Sequence, residues 1–234
     1  MNILVTGASR GIGASAFALL NSTGHEVVGH STRGDAELIA GDLADPAAPR
    51  ALWHAALSRL SGRIDVLVNN AGIYEAVADD APDGEWHGAW ARTLAINLQA
   101  PADLARLAIA HFRERGGGGR IVNVVSRAAF RGDSPQHWHY AASKAALVGM
   151  TRTIARGYAA EQILAFAVAP GFTVSEMTED YLAGRGGAQI VADIPLGRVA
   201  STDEVAETIR WLAIDTPASA TGTIIDVNGA SYVR

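Results

Sequence analysis

Cysteine is absent from the 234-residue chain, which excludes a disulfide framework, a thiolate zinc site and a cysteine nucleophile. No metal-ligand set is expected, and a reducing compartment such as the cytoplasm fits. Basic charge is scarce as well. Nineteen Lys and Arg stand against 24 Asp and Glu, a formal net charge of −5, and the pI is near 5.8. Nucleic acids and anionic membranes favour basic patches, so neither is an expected partner. Long apolar runs are missing too: the chain passes from Met1 through Ile3, Leu4 and Val5 into a glycine turn, without a basic leader or a span. Neither export nor a membrane location is expected. Lysine is the scarcest charged residue, with Lys144 alone beside 18 arginines. Codon bias with one survivor explains this, and so does a position where arginine will not serve, since lysine shifts its pKa readily.

What is present is the composition of one globular core, 49% hydrophobic and 18% charged. Short apolar, β-branched runs recur at residues 2–6, 26–30, 38–41, 64–69, 120–126, 163–168 and 223–227, as suits strands buried on both faces. Helical segments lie between most of them, at 11–22, 46–60, 85–115, 140–160 and 202–215. The alternation predicts an α/β fold: a single-domain, Rossmann-type, doubly wound parallel sheet of about seven strands over residues 1–234, with helices on both faces. Ser201 or Thr202 ahead of Asp203 and Glu204 marks a helix start. Too few residues separate the second and third strands for a crossover helix. A short third strand near Leu38 and an open flank beside it are therefore expected.

The first strand runs through Thr6-Gly7-Ala8-Ser9-Arg10-Gly11-Ile12-Gly13 into a helix. Glycines there let the backbone approach a phosphate held by helix N-terminal amides. In a chain with 25 glycines, it is the placement that makes the trio informative. Tyr140 and Lys144 share a helix face at i, i+4, where an ammonium acts to lower a phenol's pKa; an ordinary helix pair is the alternative. Ser126 closes a strand at the edge where such sheets place ligands, although a strand-end serine is also a common turn residue. Asn97 sits in a helical stretch that it suits poorly.

In combination these motifs resemble the short-chain dehydrogenase/reductase family, especially its 3-oxoacyl reductase-like members, over essentially the whole chain. Thr6 to Gly13 is similar to the family's cofactor turn, Asp42-Leu43 to its adenine-contacting pair, and Asn69-Asn70-Ala71-Gly72 to its fourth-strand end. Asn97, Ser126, Tyr140 and Lys144 resemble the catalytic tetrad, and Pro170-Gly171 with Thr173 the loop that holds the nicotinamide. The resemblance implies hydride delivery from NADPH to a carbonyl carbon, with Tyr140 as proton donor and Ser126 polarising the oxygen. Lys144 would hold the nicotinamide ribose and depress the tyrosine pKa, and Asn97 would hold a relay water. The cofactor contacts implied are Gly7, Ser9, Arg10, Gly11, Ile12, Gly13, Ser31, Thr32, Arg33, Asp42, Leu43, Asn69, Ala71, Gly72, Tyr140, Lys144, Pro170, Gly171 and Thr173.

Ser31, Thr32, Arg33 and Arg10 offer hydroxyls and guanidinium groups to a 2′-phosphate, favouring NADP(H); Asp35 bending back would favour NAD(H) instead. The chain departs from the family at Leu164-Ala165-Phe166 and at Asn228-Gly229-Ala230. Gly117 and Glu161 stand where carrier-protein reductases place basic docking residues, which weighs against a carrier-bound substrate. The segment 172–194, with Met177, Tyr181, Leu182 and the hinge Gly184 to Gly187, is expected to form a substrate lid. Arg127, Arg131, His137 and His139 either meet an anionic or polar substrate or are solvated loop residues. Long helices of the family pair with copies of themselves, so a homotetramer or homodimer is expected, with Ala145, Ala146 and Gly149 as small contact residues. The rival readings are an NAD-linked alcohol or sugar dehydrogenase and a non-catalytic nucleotide sensor on the same fold.

Overall fold

The computed structural model describes residues 1–173 and 187–234. Its strands are β1 (Asn2–Val5), β2 (Glu26–Ser31), β3 (Leu38–Ala40), β4 (Val66–Asn69), β5 (Gly119–Val124), β6 (Ile163–Pro170) and β7 (Ile224–Val227). They form one seven-stranded sheet in the order β3-β2-β1-β4-β5-β6-β7, with every pairing parallel. The helices are α1 (Gly11–Ser22), α2 (Ala48–Arg59), α3 (Asp83–Leu94), α4 (Ala100–Glu114), α5 (Ala128–Arg131), α6 (Trp138–Tyr158), α7 (Gly187–Ala192) and α8 (Thr202–Ile214).

Strand residues alternate between two apolar layers, as period-two geometry requires. Leu4, Leu67, Ile121 and Ala165 pack with Leu52, Trp53, Leu104, Phe112 and Ile154 of α2, α4 and α6. Their neighbours Val5, Val66, Val68, Val122, Phe166 and Val168 pack on the other face with Ala16, Leu20, Val205, Ile209 and Leu212 of α1 and α8. Each such side chain contributes about 1.5–3 kcal/mol on burial, so a sheet apolar on both faces is held from both sides. No helix among the described residues is long and apolar enough to cross a membrane.

Two local features bear on the site. Residues 32–37 connect β2 to β3 without a helix, and β3 is only three residues long, as the short spacing predicts. Ser31 Oγ accepts from Gly34 N–H (2.9 Å), and Asp35 Oδ1 accepts from Glu37 and Leu38 N–H (both 2.8 Å), closing the turn. The single helix expected over 85–115 is instead interrupted by a π-turn at Ala95–Gln99. Pro101 is the cause: it has no N–H for the Asn97 carbonyl four residues back, and its ring crowds that oxygen.

Helix α8 begins in a capping box, with Ser201 Oγ accepting from Glu204 N–H (3.2 Å) and Glu204 accepting from Ser201 N–H (2.8 Å). Ser201→Ala is expected to destabilise the protein by about 1 kcal/mol in urea unfolding, and an unchanged midpoint would show that this cap does not hold α8 on the sheet.

Candidate active site

The parallel sheet delivers all strand carboxyl ends to one edge, and the strand order reverses between β1 and β4, the position where such sheets leave a crevice. A cavity of about 1620 Å³ runs along this edge. At the reversal, Thr6 Oγ1 accepts from Asn70 and Ala71 N–H, while Asn70 Nδ2 donates to the Thr6 and Gly7 carbonyls, all at 3.0 Å. The turn is packed so closely that a Cβ on Gly13 would lie 2.0 Å from Gly7 O. Gly7 itself has φ +67°, and a Cβ there would meet Ala71 Cα at 2.8 Å. Arg10, the α1 N-cap, is extended and makes no side-chain cap. Among the described residues no side chain caps the first-turn amides of α1, an arrangement that suits a pyrophosphate.

His30 supports the turn from behind. Gly7 N–H donates to His30 Nδ1 (3.3 Å) and the Nε2–H donates to Gly41 O (2.8 Å), which defines the neutral Nε2–H tautomer. Burial lowers the pKa of this imidazole, in keeping with that form. Sequence reasoning passed over His30; its one signal was a histidine at the end of an apolar strand.

At the other end of the cavity, α6 carries Tyr140 and Lys144 one turn apart. The Lys144 ammonium is buried, donates to Val124 O (2.8 Å) and lies 5.8 Å from the centre of the Tyr140 ring. Ser126 Oγ accepts from Ala128 N–H (3.1 Å), and its hydroxyl lies near the phenol. Tyr74 packs edge-on against Tyr140 at 4.8 Å and stacks on His137 at 3.9 Å. Burial pushes the Tyr140 phenol up to about 12, with the nearby Ser126 hydroxyl opposing it, and pushes the Lys144 ammonium down to about 8. Burial thus keeps the phenol protonated at neutral pH.

Gly7, Ser9, Arg10, Gly11, Ile12, Gly13, Ser31, Thr32, Asp42, Leu43, Ala71, Gly72, Ser126, Tyr140, Lys144, Pro170, Gly171 and Thr173 all line this one cavity. Three expected site residues do not. Arg33 lies on a separate hollow with Asp35 and Arg59. Asn69 is buried and donates to Asn123 Oδ1 (2.9 Å), tying β4 to β5. Asn97 is buried, with Oδ1 accepting from Ile73 N–H (2.9 Å) and Nδ2 donating to Ile73 O (3.0 Å) and Ser143 Oγ (3.3 Å). It nevertheless borders the site: a Cβ on Gly72 would lie 3.3 Å from Asn97 Oδ1 and 3.4 Å from Lys144 Nζ. Of the expected lid, Met177, Tyr181, Leu182 and Gly184 to Gly186 fall outside the described residues, while Gln189, Ala192 and Asp193 border the cavity.

Residues 7–230 match a family model described as Enoyl-(Acyl carrier protein) reductase. A 3-oxoacyl-[acyl-carrier-protein] reductase from Synechocystis sp. is 37% identical, covering 97% of this chain and 94% of the relative. A short chain dehydrogenase from Burkholderia cenocepacia, solved in complex with NADP, superposes with a TM-score of 0.87 at 29% identity, covering 98% of this chain and 97% of that one. An aldohexose dehydrogenase from Thermoplasma acidophilum, solved ligand-free, gives a TM-score of 0.87 at 27% identity over 99% and 94% of the two chains.

The buried lysine makes stability depend on pH. Its folded pKa, about 8, lies below the unfolded value, so the full penalty of burying the charge applies at neutral pH and lifts between the two values, where folding sheds a proton. Between pH 7.5 and 9.5 the ligand-free wild type is expected to gain on the order of 2 kcal/mol relative to Lys144→Met. Parallel pH profiles from urea unfolding would place the ammonium in water rather than in the core.

Proposed function

The chain belongs to the short-chain dehydrogenase/reductase family, and from that premise we propose that it is an NADPH-dependent reductase of a ketone, 3-oxoacyl or related, with Tyr140 as proton donor. As a family member it is an NAD(P)-dependent oxidoreductase acting between alcohol and carbonyl. The observation that carries the finer reading is that the uncapped glycine turn and the Ser126–Tyr140–Lys144 group border one continuous cavity. A nicotinamide cofactor, when bound, supplies the hydride to the carbonyl carbon. The residues around it do the rest. Ser126 orients and polarises the carbonyl oxygen. Tyr140, protonated at neutral pH, gives that oxygen its proton as the hydride reaches the carbon, which suits the reductive direction. The Lys144 ammonium beside the ring stabilises the phenolate left behind. Reprotonation is assigned to a water near Asn97, whose carbonyl lacks its α-helical donor because of Pro101.

Preference for NADP(H) is supported by the Ser31 and Thr32 hydroxyls and by Arg10, all on the cavity wall. Asp35, the residue that would favour NAD(H), accepts from two backbone amides and faces the other hollow. The Burkholderia structure with NADP agrees, while the aldohexose dehydrogenase likeness keeps an oxidative, NAD-linked sugar reaction as the second reading. Ala145, Ala146 and Gly149 are exposed on α6, in support of pairing with a second copy, and of a homodimer or homotetramer. A single domain in the cytoplasm is the setting this reading assumes.

Fluorescence titration is expected to give NADPH at least about tenfold tighter than NADH, with Arg10→Ala removing most of the gap. Tyr140→Phe is expected to cut carbonyl-dependent NADPH oxidation by about 10²–10⁴-fold while leaving NADPH affinity nearly unchanged. Tighter NADH would move the assignment to the sugar-dehydrogenase reading, and NADPH binding without turnover on any carbonyl to a sensor. Light scattering giving a monomer at micromolar concentration would reject the paired assembly.

A further inference from the structure

The substrate end of the cavity holds a cation that the redox chemistry does not use. Arg127 follows Ser126 directly, borders the cavity and is only 8% exposed. Its backbone N–H donates to Pro170 O (2.9 Å), and its guanidinium lies over the Phe172 ring at 4.9 Å. Nη1 is buried and has no hydrogen-bond acceptor among the described residues. The nearby carboxylates are engaged elsewhere: Asp193 pairs with Arg131 (2.7 Å), and Asp133 accepts from Tyr74 OH (3.1 Å) and Ser134 N–H (2.8 Å). A buried guanidinium with no counterion is unfavourable, and unlike a lysine it cannot discharge to relieve the cost.

We propose that Arg127 binds an anionic oxygen group, carboxylate or phosphate, carried by the ketone substrate itself; the identification of that ligand as substrate rests on the reductase reading. The cofactor's own phosphates belong to the glycine turn at the other end of the cavity. Arg127 follows β5, two strands from the glycine turn and three from Ser31 on β2, roughly 10 and 14 Å across the sheet. Because Arg127 is the chain neighbour of the residue that orients the carbonyl, the anionic group stands within a few bonds of the ketone. A short keto acid or ketone phosphate meets this requirement. A long neutral acyl thioester leaves the guanidinium unpaired.

Calorimetric titration with malonate, with inorganic phosphate and with neutral malonamide tests this directly on the wild type, Arg127→Met and Arg127→Lys. At least one anion is expected to bind the wild type, about tenfold or more weaker to the Met variant and in between to Lys, with malonamide silent; the tighter of the two anions identifies carboxylate or phosphate. The ligand-free Met variant is expected to be at least as stable as the wild type, because a buried cation with no counterion among the described residues has been removed. Anion binding that ignores Arg127, or a Met variant clearly less stable, would overturn the proposal and leave the arginine a structural strut. Turnover separates the two readings. With NADPH, acetoacetate is expected to exceed methyl acetoacetate by about 100-fold in kcat/KM, and Arg127→Met to abolish the difference. Reduction of the ester with no Arg127-dependent anion binding removes the anion site and keeps the reductase. Arg127-dependent anion binding with neither compound reduced does the reverse.

Discussion

At the point where strand order reverses, the Thr6 hydroxyl accepts from two amides at the end of β4, and Asn70 returns two bonds to the end of β1. These four bonds fix how far apart the two strand ends stand, and with that the shape of the glycine turn. Gly13 touches Gly7 so closely that no other residue fits, and α1 can begin only where its uncapped amides face the crevice. His30, held neutral by burial, completes the support from β2. The glycine-turn end of the site is thus a consequence of backbone packing at one junction.

The reactive end depends on a different constraint, desolvation. Tyr140 and Lys144 share a helix face inside the protein, and burial acts on them in opposite directions in charge. The acid keeps its proton and the cation is brought close to discharge. In the proposed reductase, a protonated phenol beside a serine hydroxyl would give the proton, and the buried lysine would respond to the charge left behind.

Most of the architecture was legible in the sequence because it depends on local pattern. Short continuous apolar, β-branched runs marked the strands, the glycines between the first strand and helix located the turn, and the four-residue spacing of Tyr140 and Lys144 placed both on one face. The interrupted helix at Ala95–Gln99 was also written in the chain, as Pro101, but a proline signals a break without saying that Asn97 will turn inward to Ile73. Arg33 lines the other hollow beside Asp35, which closes the turn there, a placement the local sequence does not signal. The burial of Arg127 had no local signal at all: it depends on Phe172 and Pro170, which the fold brings over it from the end of β6. Residues whose role is set by distant segments are the ones that sequence reasoning could name but not assign.

The reductase reading requires one cavity both to hold a reduced nicotinamide and to present a carbonyl to it. The direct measurement is mass spectrometry of the alcohol formed when the protein is incubated with a ketone and NADPH deuterated at the transferable C4 position. The account predicts one deuterium on the former carbonyl carbon, transferred from a single face of the nicotinamide. An alcohol carrying no deuterium, or bound NADPH that never transfers its label to any carbonyl, would contradict it.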